Sequence, residues 1–472
     1  MNRPPNSAER PTFLCRQADG LFAVIEKCLN NGTGSCLVLD DDRRPIGRVN
    51  LDDIRGAVRD GRLADLDSLG SLMALGRAGA VGEALTTHAV QPILDADGRL
   101  IDIAVDRSRQ FVQIARPDIS SVEFRLLLDA FLSTWISSSG DYLPQFQKQF
   151  AAMLGCKHAV AVSNGTAALH LALEALAIGP GDEVIVPDLT FAATINAVFH
   201  CGATPVIVDI DPASWGMDVE NARRALTART RAIIPVHLYG RPVDIGPLDG
   251  LAKEHGIAIV EDCAEALGAR YDGRQVGRFG EIGCFSFFAN KTITTGEGGI
   301  CLTDSDAIAA RLAELRDHGM TPGRRYWHER VGFNYRMTNL QAAIGVGQLT
   351  RFDEIVARNR RIEALYREHF GSLPGVAFPP IPPNHVEPAI WLVSIQVPVD
   401  KRAQLIDAAA KAGIEVRPFF YSLSTMPAYR SFGRHCPNSL ALSRTGISLP
   451  TSNAVDAPVV KKLATVFSEV LA

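Results

Sequence analysis

The run Ala159-Val160-Ala161-Val162-Ser163-Asn164-Gly165-Thr166-Ala167-Ala168-Leu169 decides the architecture of most of this chain. Its first four residues form a short apolar strand, Ser-Asn-Gly makes a turn, and the small residues from Thr166 predict a helix. The same unit recurs downstream. Glu183 to Pro187 leads to a helix near Ala192, Thr204 to Asp209 to a helix over 219–226, and Ala232 to Val236 to a helix over 245–255; Ile257 to Asp262 ends in a loop. These strands are unbroken apolar runs, as a parallel sheet covered on both faces requires. Their alternation with helices predicts an α/β domain of three layers around a mainly parallel central sheet. That domain is placed at 109–472: a large lobe over about 130–370, ending in one long helical stretch from Asn339 to Phe370, and a small C-terminal lobe over about 371–472.

In open parallel sheets ligands gather beyond the carboxyl ends of the strands, and the chemically suggestive residues fall there. Ser163 to Leu169 follows a strand and opens a helix, so free N–H groups and the helix dipole make a phosphate cradle. Gly165 permits close backbone approach and Thr166 adds a hydroxyl, although ordinary capping produces the same pattern. Asp262 ends a buried strand. Its carboxylate suits a protonated ring nitrogen or a helix N-cap. Glu265, one helical turn later, suits a ring hydroxyl or the helix dipole. Ser286 puts a lone hydroxyl in the apolar run Cys284 to Phe288, where a phosphate or a carbonyl would satisfy it. The stretch Ser286-Phe287-Phe288-Ala289-Asn290-Lys291-Thr292-Ile293-Thr294-Thr295-Gly296-Glu297-Gly298-Gly299 then sets one lysine among glycines and small polar residues. A solvated surface charge explains that placement poorly. An amine withdrawn from water is a nucleophile toward carbonyls, as Schiff-base chemistry with pyridoxal phosphate requires, and Lys291 is the candidate.

A phosphate cradle, a strand-end Asp, then Ser and Lys in a glycine-rich turn follow the chain order of fold-type I pyridoxal-phosphate enzymes. From about Phe111 to Ala472 the sequence resembles the nucleotide-sugar aminotransferases (DegT-type) of that superfamily, with further matching words at Pro235-Val236-His237-Leu238-Tyr239-Gly240 and Val331 to Ala343. The resemblance implies that Lys291 carries pyridoxal 5′-phosphate and moves protons between the donor and the cofactor. It further implies that Asp262 pairs with the ring nitrogen and Glu265 with the ring hydroxyl, that Gly165, Thr166 and Ser286 hold the phosphate, and that Phe191 stacks on the ring. Asn334 would reach the cofactor phosphate of a neighbouring subunit, implying a homodimer or larger homo-oligomer.

Within the family, Phe287 to Gly299, Arg324 to Trp327 and Arg417 to Tyr421 look most like the enzymes that turn GDP-4-keto-6-deoxy-D-mannose into GDP-perosamine with L-glutamate as donor, a step toward surface polysaccharide. One departure is Ser422-Leu423-Ser424, where many relatives carry Pro-x-His, near the mouth for the sugar. His237, Arg325 and Arg417 are candidates for substrate anions or for surface and interface pairs. Two alternatives stand beside this reading: amination of a UDP- or dTDP-linked 3- or 4-keto sugar, and a non-catalytic nucleotide-responsive regulator, against which the intact Lys291, Asp262 and Ser286 speak.

The 472 residues carry a formal net charge of -4, which offers no footprint for nucleic acid or an anionic membrane. No apolar run approaches the roughly 20 residues of a membrane helix. The 9 cysteines are odd in number and lack CxxC spacing, which argues against a disulfide framework or a metal site and for the cytoplasm. Residues 1–12 look like a flexible tail. Residues 13–108 differ in pattern: Ser35 to Leu39, an acidic turn and Pro45 to Val49 are echoed by Val90 to Leu94, an acidic turn and Arg99 to Val105, and 61–82 is loop-like. This α+β repeat resembles a CBS pair, a module that binds adenine nucleotides. In Gly47 to Arg55, Asn50 replaces the usual Thr or Ser and Asp53 would take ribose hydroxyls. Val105 and Ser108 stand at the second, degraded site. A nucleotide sensor and a vestigial aid to assembly both fit.

Overall fold

The computed structural model describes residues 10–16, 18–59, 90–105 and 111–472. The chain divides into two compact units, one of residues 1–111 with 118–125, the other of 112–117 with 126–472. Expected as a single crossing near 108, the division is instead interleaved. Val112 joins the second unit by backbone bonds, its N–H to Gly413 O at 2.9 Å and its O from Glu415 N–H at 2.8 Å.

The second unit is built on a seven-stranded sheet. Its strands are β1 (His158–Val162), β2 (Glu183–Pro187), β3 (Thr204–Val208), β4 (Thr230–Ile233), β5 (Ala258–Asp262), β6 (Ile282–Ser286) and β7 (Gly299–Thr303), in spatial order β1-β7-β6-β5-β4-β2-β3. Neighbours from β3 to β6 pair in parallel, and β7 alone runs antiparallel, wedged between β1 and β6. Every residue of β2 and β7 is buried, which explains the uninterrupted apolar runs. Helices α1 (Gly165–Ala175), α2 (Ala192–His200) and α3 (Ile245–His255) follow β1, β2 and β4.

Because β7 turns back along β6, the segment 287–298 leaves and re-enters the sheet on one edge. Ser286 pairs with Gly299, and Gly299 with Val162. The Lys291 segment therefore hangs over the same edge as the start of α1 and the end of β5. Gly296 takes φ +83°, open to glycine at little cost, where the segment reverses. Phe287 N–H to Gly298 O at 2.8 Å closes the reversal.

The stretch expected as one helix is two, Asn339–Thr350 and Phe352–Phe370. The first opens with a reciprocal Thr338/Gln341 capping box, and Arg351 leaves helical geometry at φ -111°, ψ 6°. The second helix serves both lobes. Phe352 and Ile355 sit in a core with Phe146, Phe150 and Phe287, whereas Ile362, Tyr366 and Phe370 join the core of the small lobe. That lobe carries a three-stranded antiparallel sheet of Val393–Gln396, Gly446–Leu449 and Arg417–Pro418. The expected boundary near 371 thus falls inside a continuous packing unit.

In the first unit, Arg10–Phe13 is a 3-10 turn with Phe13 buried, so that part of the expected tail is ordered structure. The two hairpins repeat one turn geometry. Arg44 N–H donates to Asp40 Oδ1 at 2.7 Å and Arg99 N–H to Asp95 Oδ1 at 2.8 Å, with left-handed Arg43 (φ 63°) and Gly98 (φ 77°) in equivalent places. Asn50 and Asp53 cap the helix Leu51–Arg59 reciprocally, through Asp53 N–H to Asn50 Oδ1 at 2.8 Å and Asn50 N–H to Asp53 Oδ2 at 3.1 Å. Val105 ends the second hairpin; Ser108 and the loop at 61–82 lie outside the described residues.

Candidate active site

A cavity of about 720 Å³ opens at the carboxyl edge of the sheet, and Gly165, Thr166, Phe191, Asp262, Glu265, Ser286, Lys291 and Arg417 all line it. Local structure sets each position. Asn164 caps α1, accepting from Ala167 N–H at 2.8 Å, while the first N–H groups of the helix have no intrahelical partner. A Cβ at Gly165 would stand 2.7 Å from Ser286 Cβ and 3.0 Å from its Oγ. Glycine there keeps open a polar cradle between the turn and the end of β6.

At the opposite end Asp262 is 5% exposed. Its Oδ2 accepts from Thr194 Oγ1 at 2.8 Å and its Oδ1 from Ala264 N–H at 3.1 Å. Burial pushes this carboxyl above the ordinary range, against the pull of the Thr194 hydroxyl, the Ala264 N–H and Lys291. No helix follows: Glu265 stands in tight turns. It accepts from Tyr239 N–H at 2.9 Å and lies 3.3 Å from Lys291 Nζ, and burial raises its carboxyl too. Lys291 Nζ also sits 3.9 Å from the Trp391 ring centroid.

Three of these partners were not singled out from the sequence. Trp391 lies in the apolar run Ala389 to Leu392, which carries no chemical cue, and is held by its N–H to Asn290 O at 2.6 Å. Tyr239 stands inside Pro235 to Gly240 and Thr194 lies three residues beyond Phe191, but their roles depend on chain crossings that no spacing reveals. Tyr239 adopts φ 52°, φ > 0 for a bulky residue, and its hydroxyl accepts from Phe420 N–H at 2.9 Å.

The remaining candidates are placed differently. His237 is fully buried away from the cavity. Val243 N–H donates to its Nδ1 at 3.1 Å, so the proton sits on Nε2, 3.1 Å from Glu261 Oε2. Glu261 also accepts from the N–H groups of Gly277, Phe279 and Gly280. Burial alone would raise its carboxyl, but His237 and those N–H groups carry it below the usual range. His237, Glu261 and Cys263 cluster closely enough for a metal, yet both ring nitrogens of His237 and both carboxylate oxygens of Glu261 are consumed by this network. The substrate contact expected of His237 has no support in this geometry; the residue braces the β5 edge. Arg417 is exposed and bound to Glu415 at 2.7 Å. Arg325 is exposed and 5.0 Å from the Tyr326 ring, and Asn334 is exposed and accepts from Arg336 Nε at 3.2 Å; neither lines this cavity.

The residues fit pyridoxal phosphate: an anion cradle at one end, a buried carboxylate at the other, and a lysine between. The comparisons agree. The description of the DegT/DnrJ/EryC1/StrS aminotransferase family matches residues 117–468. The GDP-perosamine synthase of Caulobacter vibrioides is 42% identical over 76% of this chain and 98% of its own length. The UDP-N-acetyl-3-dehydro-alpha-D-glucosamine 3-aminotransferase of Acidithiobacillus ferrooxidans is 38% identical over 69% of this chain and 87% of its own. Among solved structures, a Streptococcus pneumoniae chain in its PLP-form superposes with TM-score 0.71 and 28% identity, over 76% of this chain and 100% of that one. The chain belongs to the DegT/DnrJ/EryC1/StrS aminotransferase family, and its cofactor is pyridoxal phosphate.

Proposed function

We propose that this aminotransferase moves the amino group of L-glutamate to C4 of GDP-4-keto-6-deoxy-D-mannose, forming GDP-perosamine for surface polysaccharide. The observation that carries the reading is the single cavity joining Lys291, Asp262, Glu265, Ser286 and the α1 N-terminus; the 42% identical relative supplies the sugar. The bound cofactor supplies the electron sink that makes the Cα proton of an amino acid removable. Gly165, Thr166 and Ser286 bind its phosphate. Asp262, steadied by Thr194, holds a proton at the ring nitrogen. Glu265 faces the ring hydroxyl and Lys291 Nζ, and Lys291 removes the Cα proton from the donor and returns one to the carbon that becomes the amine. Phe191, 59% exposed and 5.7 Å from Phe420, covers the outer face of the site. Arg417 meets the diphosphate at the mouth.

Asn334 and Arg325 serve the cavity of a second copy in a homodimer; their exposure away from their own cavity supports this. No described helix is long and apolar enough to cross a membrane, and a nucleotide-sugar substrate places the enzyme in the cytoplasm. The first unit, whose paired hairpins support a CBS-like reading, binds an adenine nucleotide at the Asn50/Asp53 turn.

A UDP-linked 3-keto sugar is the second reading, favoured by the 38% identical relative. A mass-spectrometric assay with L-glutamate and GDP-, UDP- and dTDP-linked keto sugars in parallel separates the two. Amination of the GDP-mannose derivative alone establishes the first reading, and amination of another sugar replaces it. Titrating the full chain and its Asp53→Ala variant with ATP and AMP tests the nucleotide site, where equal or absent binding removes it.

A further inference from the structure

A second cavity, of about 470 Å³, lies behind the wall of the active site and is lined by Arg241, Arg360, Arg367, Glu363, Glu387 and an apolar rim that includes Ile390. Two backbone segments form the wall. Ala389 N–H donates to Gly240 O at 2.9 Å, and a Cβ on Gly240 would collide with the Ala389 carbonyl, so only glycine, here at φ +85°, lets the segments touch. From this seam Tyr239 and Trp391, stacked at 6.1 Å and 12°, face the active cavity. Their neighbours Arg241 and Ile390 face the other.

Arg241 is the unusual element. It is 8% exposed. Its side chain makes one hydrogen bond among the described residues, Nη2 to Pro380 O at 3.0 Å, and lies over the Trp215 ring 5.4 Å from its centroid; its Nε is buried without a hydrogen-bond partner, and no carboxylate lies within ion-pair distance. Buried cations are ordinarily paired. Glu363, which shares the cavity, is already held by both Nε (3.0 Å) and Nη2 (2.8 Å) of Arg367. Arg360 is exposed and in no ion pair among the described residues. Two guanidinium groups without salt-bridge partners thus face one cavity, with Glu387 the only carboxylate of its lining not taken by an arginine. Burial lowers the Arg241 guanidinium to about 10, against the pull of the nearby Glu363 carboxylate, so neither that charge nor the Trp215 ring offsets its loss of water.

We propose that this cavity is a second binding site, for a small organic phosphate whose anionic group pairs with Arg241 and Arg360 and whose body lies on the rim of Ile381, Pro382, Pro388 and Ile390. Guanidinium forks match phosphate oxygens in geometry, and a dianion answers two unpaired cations better than a monocarboxylate does. The shared wall gives the occupant a route to Tyr239 and Trp391.

The test is calorimetric titration of the cofactor-loaded enzyme, in phosphate-free buffer, with inorganic phosphate, phenyl phosphate and benzoate. Phenyl phosphate is expected to bind saturably with a dissociation constant of about 1 mM or tighter, phosphate more weakly, and benzoate more weakly still. Arg360→Gln, an exposed change that leaves the fold and cofactor absorbance intact, should weaken phenyl phosphate about tenfold; Arg417→Gln, at the mouth of the active site, should leave it unchanged. No saturable binding by about 10 mM, equal affinity in Arg360→Gln, loss in Arg417→Gln, or benzoate binding as tightly as phenyl phosphate overturns the proposal.

Discussion

Replacing Thr194 by valine tests the site at its least legible point. Thr194 is wholly buried in α2, its Oγ1 2.8 Å from Asp262 Oδ2 and 2.9 Å from Thr190 Oγ1. Valine keeps the shape and deletes the donor to a buried carboxylate. A hydrogen bond to a charged group contributes about 1.5–3 kcal/mol, so the loss corresponds to roughly ten- to 150-fold. Where that loss appears is the discriminating point. If Asp262 holds the proton at the ring nitrogen, an Asp262 carboxyl pushed further upward holds it less well. The variant should then bind pyridoxal phosphate about tenfold or more weakly when cofactor-free protein is titrated by absorbance, and the acid limb of its pH–rate profile should move to higher pH. If Asp262 merely caps the turn through Ala264 N–H, only the unfolding temperature falls. Cofactor affinity within about twofold of the parent, whatever the melting temperature, would refute the assigned chain from Thr194 through Asp262 to the ring.

Three further outcomes follow from the same geometry. Lys291→Ala should fold and still load cofactor non-covalently but lose turnover, and appreciable residual transamination would overturn its role. Asp262→Asn should inactivate the enzyme yet stabilise the cofactor-free protein near pH 7. Because burial raises the folded value of Asp262, that residue's favourable contribution is complete only below the unfolded value of about 3.9 and is lost as pH rises through the raised one. Thermal melts from pH 4 to 8 should show the advantage of the variant shrinking as pH falls, and a constant offset would contradict this. Gly165→Ala should cost about 1–3 kcal/mol of folding stability in the cofactor-free protein by overpacking against Ser286, and should also weaken cofactor binding because Ser286 is displaced; cofactor affinity equal to the parent's would remove the cradle.

The linear sequence carried the alternation of strands and helices because parallel strands buried on both faces must be apolar throughout. It carried Gly165, Asp262, Ser286 and Lys291 because each stands beside a strand end, where local chemistry is visible in the neighbouring residues. The Asn339–Phe370 stretch shows the limit of that reading: its periodicity is helical throughout, and only the Thr338 cap, the kink at Arg351 and packing into two cores divide it. His237 shows another limit. A histidine in a glycine-bearing loop looks accessible, and only the folded chain surrounds it with Val243 N–H and Glu261.

By itself, then, the order of residues determined the three-layer class, the strand-end chemistry and the lysine. Tertiary structure decided which groups serve that lysine. Trp391, Tyr239 and Thr194 reach it or its partners from segments far apart in the chain. It also decided that Arg241 is buried without a carboxylate, behind a seam that only Gly240 permits. The physical reason is that local pattern reports which face of an element is apolar, whereas the partner of a buried polar group is set by where separate segments cross.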